Sequence, residues 1–529
     1  MTALDWSVIA AYALGMIGLG WWVGRRQHSS EDYYLAGRRL GWFPIGVSTM
    51  ATQLSAVSFI SAPAFVALRP GGGLIWLGYE MAVPLAMIVL MAGLFPVFHS
   101  LRVVSVYEVL ERRYDRRVRV VVSLVFQISR ALAAGVMVYA ASLVIAVTTG
   151  LPLSLTILLV GVVALVYELF GGIHVDILSD TIQMIVLLVG IVIVGAVALS
   201  AVGGWGAVRE AVDPVRLQAL DFSAHGLGDG RDYGFWPLLL GGFFLYLAYY
   251  GTDQSQVQRE LAARSLDACK GSLLFNGLAR FPVVLLYCTV GLVMAAWVAS
   301  EPGFTANLPG GNIDYLVPVF VRDNLPPGLT GFVFVAILAA AMSSLDSAIN
   351  SLSAATLEDI WRPLMRRPLT GRAAMRRSKI LTLLWGVFCV GFAFLVDDIS
   401  PTIIESINKI GSAFYGPVLA VFVTGLISNR VNPGKAIGGL VLGVALNLSL
   451  WFFAPGVSWL WWNLFGFVTA AAVMIVGRHP PRPGPAGAGL RARFEVPAEK
   501  EIWKRSWAGL ALYALVIIGV LLLLPRLLG

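Results

Sequence analysis

Residues 48–63 read STMATQLSAVSFISAP. They lie inside an apolar run, 42–67, long enough to cross a bilayer, yet Gln53, Ser55 and Ser58 break its centre. Hydrocarbon offers no water to a broken backbone, so an interruption survives there only inside protein or beside a water-filled cavity. A second run, 235–256, is interrupted in the same way by FLYLAYYGTDQSQVQR at 244–259. Interrupted segments at corresponding positions of two halves point to an inverted-repeat carrier with its site at the breaks. Five apolar spans fall in 42–200 and five in 235–427. An odd number of spans per repeat inverts one half relative to the other.

The composition agrees. The chain has 529 residues, 58% hydrophobic and 13% charged, with a mean hydropathy of +0.80. A soluble chain carries about 25% charged residues. About 20 apolar residues cross a 30 Å hydrocarbon core. Fourteen stretches qualify: 5–23, 42–67, 75–97, 119–148, 152–170, 177–200, 235–256, 271–298, 328–354, 379–396, 401–427, 434–453, 457–477 and 506–526. A membrane barrel would instead show short alternating segments. The expected fold is an all-α polytopic membrane protein, a 5+5 inverted repeat with extra flanking helices and about 14 transmembrane helices. Residues 1–41 form a first flanking span and loop. The repeats are 42–200 and 235–427, joined by an extracellular loop at 201–234. Residues 428–529 hold three flanking spans, with a Pro/Gly-rich linker at 479–505.

Net charge is +8, but its placement is more informative. Lys and Arg collect at cytoplasmic ends. Arg25, Arg26, Arg38 and Arg39 flank the second span, Arg112 to Arg119 precede the fourth, and 356–379 is rich in Arg. These loops are therefore placed in the cytoplasm and both termini outside, in a plasma (inner) membrane. Basic residues confined to short loops argue against nucleic acid as a partner. The lipid bilayer, a small solute and ions are the expected partners, and a monomer suffices. Cys269, Cys288 and Cys389 suggest no disulfide framework. The N-terminal run lacks a cleavage site and reads as a span.

A polar stripe marks a further helix. In ILAAAMSSLDSAIN, 337–350, Ser343, Ser344, Asp346, Ser347 and Asn350, with Ser351 just beyond, fall within an arc of roughly 160° on a helix. One or two serines would be explained by back-bonding to the helix or by close packing. A mid-membrane aspartate costs at least about 2.5–3.5 kcal/mol, so it faces a cavity, a partner or an ion. Oxygen ligands without His or Cys suit a small hard cation. The interrupted first helix can add backbone carbonyls. In GGIHVDILSDTIQM, 171–184, Asp180 is a further candidate, while Asp176 suits a helix N-terminus.

Four pieces together resemble the sodium/solute symporter family: EDYYLAGRRLGWFPIGVSTMATQLSAVSFIS, GGIHVDILSDTIQ, YYGTDQSQVQRELAARSLDACKG and AAAMSSLDSAINSLSAATLED. The likeness covers about residues 5–455 and leans to the monocarboxylate/vitamin/iodide branch over the sugar branch. It implies a LeuT-like fold and co-transported sodium. The family's first sodium site falls on Ala51, Leu54, Ala340, Ser343 and Ser344. A second site, present in some relatives, falls on Asp180, Asp346 and Ser347, which implies two cations per cycle. Relatives usually carry a small hydroxyl where this chain has Asp346, and a carboxylate there also suits a proton. The solute positions implied are Ser58, Tyr79, Glu80, Tyr246, Tyr249, Arg280 and Asn408, with Tyr249 and Tyr250 as an inner gate.

Arg130, in VFQISRALAAGV, is halfway along its span. It either pairs with an internal acid such as Glu80 or grips an anionic solute through its planar fork. The resulting expectation is a secondary active symporter coupling inward sodium flow to uptake of a small carboxylate or other anion. Alternatives are sodium-coupled sugar or amino-acid uptake, or proton coupling through Asp346 or Asp180. A channel would need a continuous polar path, and an enzyme a nucleophile–base or metal constellation. The five histidines are scattered, and no long signalling region follows the last span, which disfavours a membrane sensor.

Overall fold

The computed structural model describes residues 1–24, 30–365, 371–396, 402–428, 430–476, 496 and 498–528. Arg25, Arg26, Arg366 and Arg367 of the basic loops, and most of the 479–505 linker, lie outside the described residues. All regular structure among the described residues is helical. The helices used below are α1 (Ala3–Gly24), α2 (Trp42–Gln53), α3 (Ala56–Leu68), α4 (Leu74–Leu101), α5 (Arg116–Thr149), α6 (Leu153–Gly171), α7 (Ile173–Val202) and α8 (Gly242–Thr252). They continue with α9 (Gln254–Leu261), α10 (Leu266–Ser300), α11 (Leu329–Ala355), α12 (Gly371–Ala393), α13 (Ile403–Ile427), α14 (Pro433–Phe453), α15 (Trp459–Ile475) and α16 (Glu501–Leu528). Each of the fourteen expected spans holds a helix or a broken pair. Among the described residues nine helices are long and apolar enough to cross a membrane, or ten if α2 and α3 count as one span. The remainder are shorter or split, and α12 opens on arginines.

Both breaks have the same local cause. At the first, Ser55 turns extended (φ −88°, ψ −179°) and its side chain accepts the Val57 N–H. The chain bends by 55° between α2 and α3. At the second, Asp253 (φ −80°, ψ 118°) accepts the Ser255 N–H at 2.9 Å. In each case a short polar side chain caps the helix that follows, so the backbone stays satisfied where the helix stops. Long spans are capped too. Asp115 opens α5 and Ser265 opens α10, while Gly150 closes α5 in the left-handed region at φ 74°.

α11 is central. Its residues from Val333 to Ala355 are buried, and it packs on α7, α5, α1, α12 and α9. Flanking helices instead expose apolar side chains, among them Leu14 on α1, Phe453 on α14 and Leu515 on α16. That is the pattern of a protein solvated by lipid at its rim.

Where α3 ends and α13 begins, the 201–234 loop folds over the molecule. Arg216 donates to the Val66 carbonyl at 2.9 Å. Gly73 has φ +114°, and a Cβ there would lie 2.5 Å from the Arg216 carbonyl, so only glycine fits. Arg69 grips Glu405 through Nε and Nη2 at 3.1–3.3 Å, and Tyr233 donates to the same carboxylate at 2.7 Å. Nearby, Asp314 of the 299–327 loop accepts the Ile403 N–H at 2.8 Å and so caps α13.

Asp314 yields a pH prediction. Burial pushes its carboxyl up from 3.8 to about 6, against hydrogen bonds that lower it. The folded state thus holds the proton more tightly than the unfolded chain. Stability from this group is present below pH 4 and is lost as pH rises through 6. Asp314→Asn keeps an acceptor for Ile403 and removes the charge. It is expected to raise the melting temperature at pH 7.5, by up to about 3 kcal/mol in stability, with no gain at pH 4. Equal shifts at both pH values would reject this assignment.

Candidate functional site

Where the first break meets α11, Ser344 donates its hydroxyl to the Thr52 carbonyl at 3.0 Å. The last carbonyls of α2 lack helical partners because the helix stops. Ala51 and Leu54 lie on either side of Thr52, and Ala340 and Ser343 precede Ser344 on α11; all are buried. One hydrogen bond thus joins the two segments that carry the first predicted sodium residues, α2 with its break and α11; backbone carbonyls and hydroxyls are hard oxygens of the kind that suits sodium.

The second predicted set has a different neighbourhood. Asp180 on α7 accepts from Ser48 and Ser343, each at 2.5 Å, and from Arg259 Nη2 at 3.2 Å. Arg259, on α9, also donates from Nε to Ser48 at 2.8 Å, from Nη1 to the Ser255 carbonyl at 2.7 Å, and from Nη2 to Ser347. It is 0% exposed. Asp346 is buried, and neither carboxylate oxygen has a hydrogen-bond partner among the described residues. Asp176 is likewise buried without a side-chain bond, in the first turn of α7. The rest of the stripe is structural. Asn350 donates to Glu168 at 3.1 Å and accepts from Gln258 at 2.9 Å, and Ser351 returns its bond to the Ala348 carbonyl.

A cavity of about 90 Å3 lies beside the first break. Ser58, Tyr79, Arg130, Tyr246, Tyr249, Arg280 and Asn408 all line it. Glu80 stands behind the wall. It does not meet Arg130; it takes Arg280 in a bidentate pair, Nε–Oε2 2.7 Å and Nη2–Oε1 3.1 Å, and accepts from Tyr246 at 3.0 Å. Arg280 also lies over the Tyr246 ring, 5.1 Å from its centroid. Arg130 is 3% exposed and its nearest acid is Asp253 at 4.0 Å, beyond hydrogen-bond reach. Its Nε and Nη2 have no hydrogen-bond partner among the described residues. Asn408 donates to the Ile404 carbonyl, one turn back.

Tyr249 and Tyr250 are neighbours on α8, and Tyr249 lines the cavity. Tyr250 donates to Gln53 of the first break, and Tyr249 accepts from Gln256 at 2.8 Å. Tyr249 packs at 5.5 Å from Tyr250 and 5.9 Å from Tyr415 between ring centroids. Trp76, Tyr287 and Tyr415 line the cavity without having been expected there. Arg259 was also missed. The sequence shows only a polar run, QSQVQRE at 254–260, beside the second break; that every residue of α9 is nevertheless buried appears only in the structure.

The chain matches the description of the sodium:solute symporter family over residues 33–443. It is 32% identical over 458 residues to the human sodium/iodide cotransporter, covering 85% of this chain and 69% of that one. It is 30% identical over 452 residues to the human sodium-coupled monocarboxylate transporter 2, covering 84% and 71%. Its structure resembles a substrate-bound, outward-open sodium-coupled sialic acid symporter with a TM-score of 0.79 at 23% identity, covering 90% of this chain and 97% of that one. At that identity the likeness speaks for the fold, which is LeuT-like, as the family resemblance implied. The motifs, the fold and the match over most of the chain agree: this protein belongs to the sodium:solute symporter family, and it resembles the iodide and monocarboxylate carriers within it.

Proposed function

We propose that this symporter couples inward sodium flow to uptake of a small organic anion, foremost a carboxylate, by alternating access around the cavity beside the first break. Arg130 carries the reading. A buried guanidinium with two unused donors at the wall of a small cavity suits a planar anion that can take both. Arg280 is less available, because Glu80 neutralises it. The monocarboxylate relative supports the same class.

Sodium is held by the carbonyls of Ala51, Leu54 and Ala340 and the hydroxyls of Ser343 and Ser344. Ser58, Tyr79, Tyr246, Tyr249 and Asn408 shape the solute space, and Tyr249 and Tyr250 gate its exit. Sodium that joins α2 to α11 raises solute affinity, and solute raises sodium affinity by the same factor. The membrane potential adds about 2.3 kcal/mol per charge per 100 mV. The halves 42–200 and 235–427 rock against each other, in a single copy of the chain. It resides in a plasma membrane with both termini outside.

The test is thermal stability of the purified protein in sodium against choline, at equal ionic strength, across carboxylates, sugars, amino acids and nucleobases. A carboxylate that stabilises only in sodium is the expected result. Ser344→Ala is expected to lower apparent sodium affinity at least about 10-fold while leaving the sodium-free melting temperature within a few degrees. Unchanged sodium affinity would remove Ser344 from the site. Asp346, with both oxygens unpartnered, favours one other reading: solute stabilisation that follows pH and ignores sodium would replace the ion with a proton.

A further inference from the structure

We infer that Arg259 is a tethered cation that holds the second ion position, so that its guanidinium and a sodium ion at Asp180 exclude one another. The inference rests on the sodium-coupled reading above, and it replaces two sodium ions per cycle with one.

The residues expected to hold a second sodium are Asp180, Asp346 and Ser347. Arg259 Nη2 lies between two of them, 3.2 Å from Asp180 Oδ2 and in contact with Ser347 Oγ. These oxygens already carry hydrogen bonds. Asp180 receives two hydroxyls and the guanidinium, covering both of its oxygens. Ser347 donates to the Ser343 carbonyl at 2.5 Å while accepting from Arg259. A sodium ion there would need the same oxygens and would sit against a like charge in a site closed to water. Arg259 and Asp180 are both about 99% buried on their side chains, so no solvent screens that repulsion. Arginine retains its charge at any accessible pH, so the competitor cannot be titrated away.

Arg259 also ties this position to the gate. It stands on α9, after the second break. The same short helix carries Gln256, bonded to Tyr249, and Gln258, bonded to Asn350 of α11 and to the Tyr34 carbonyl. Freeing Asp180 for an ion thus requires α9 to move away from α7 and α11, and Gln256 moves with it. The ion at the Ser343–Ser344 site needs no such displacement. One position is filled by sodium, and the other by a positive charge built into the chain.

The test counts bound ions. Purified full-length protein is titrated with sodium-22 in a scintillation proximity assay, with choline balancing ionic strength. Wild type is expected to bind one equivalent, lost in Ser344→Ala. Arg259→Gln is expected to bind two, and Arg259→Gln with Asp180→Asn to return to one. Arg259→Lys, which keeps the charge, is expected to stay at one. Two equivalents in wild type, or one in a folded Arg259→Gln, would overturn the inference. Should Arg259→Gln fail to fold, Asp180→Asn decides: sodium binding retained at one equivalent supports the inference, and an equivalent lost there rejects it. Absence of any sodium binding by wild type would instead remove the sodium-coupled reading itself.

Discussion

Replacing Arg130 with glutamine is expected to abolish high-affinity carboxylate recognition while leaving the protein folded and sodium-responsive. Truncating one member of a buried, charge-assisted contact costs about 2–5 kcal/mol, and each 1.4 kcal/mol is tenfold in affinity. The apparent KM for a carboxylate should rise at least about 100-fold. Arg130 lies against the cavity and its ion pair with Asp253 is long, 4.0 Å, so the fold has little to lose. Sodium-dependent stabilisation in the absence of solute should persist, because Ser344 and Thr52 are untouched. Arg130→Lys keeps the charge but not the fork, and should fall between the two. Transport in proteoliposomes under an imposed sodium gradient measures this. An unchanged KM in Arg130→Gln would show that the anion is held elsewhere.

The second large effect concerns stability. Glu80→Ala leaves Arg280 buried with no carboxylate, and breaking a buried pair from one side costs about 3–5 kcal/mol. Among the described residues Arg280 would keep only the Tyr246 hydroxyl, at 3.1 Å, and the face of that ring. The melting temperature should fall well below that of wild type. Glu80→Met combined with Arg280→Met removes both charges at similar volume and should recover most of the loss. Melting of the single and double variants in detergent tests the cycle. Glu80→Ala melting like wild type would show that Glu80 is available to the solute, and that Arg280 has another anchor.

The two predictions separate arginines that look alike in the sequence. Arg130 and Arg280 each fall midway along a long apolar helix, and each could be a ligand or half of an ion pair. The structure assigns Glu80, from 200 residues away, to Arg280 and leaves Arg130 with donors to spare. Arg259 extends the contrast. It lies inside the YYGTDQSQVQR motif, but its partner Asp180 is 79 residues earlier.

Local chemistry explains what could be read from the chain alone. Where a helix stops inside an apolar run, a short polar residue must cap the helix that follows or leave backbone unsatisfied in lipid, and Ser55 and Asp253 do this at the two breaks. A helical period of 3.6 residues puts Ser343, Ser347 and Asn350 on one face whatever surrounds them. These features belong to neighbours in sequence. Charge pairing and cavity shape depend on which side chains meet across helices far apart in the chain. No periodicity encodes that Glu80 turns to Arg280, that Arg259 reaches Asp180, or that Trp76 and Tyr415 line one cavity. Packing chooses among cations of equal charge by distance and burial, and those quantities exist only once the helices have assembled.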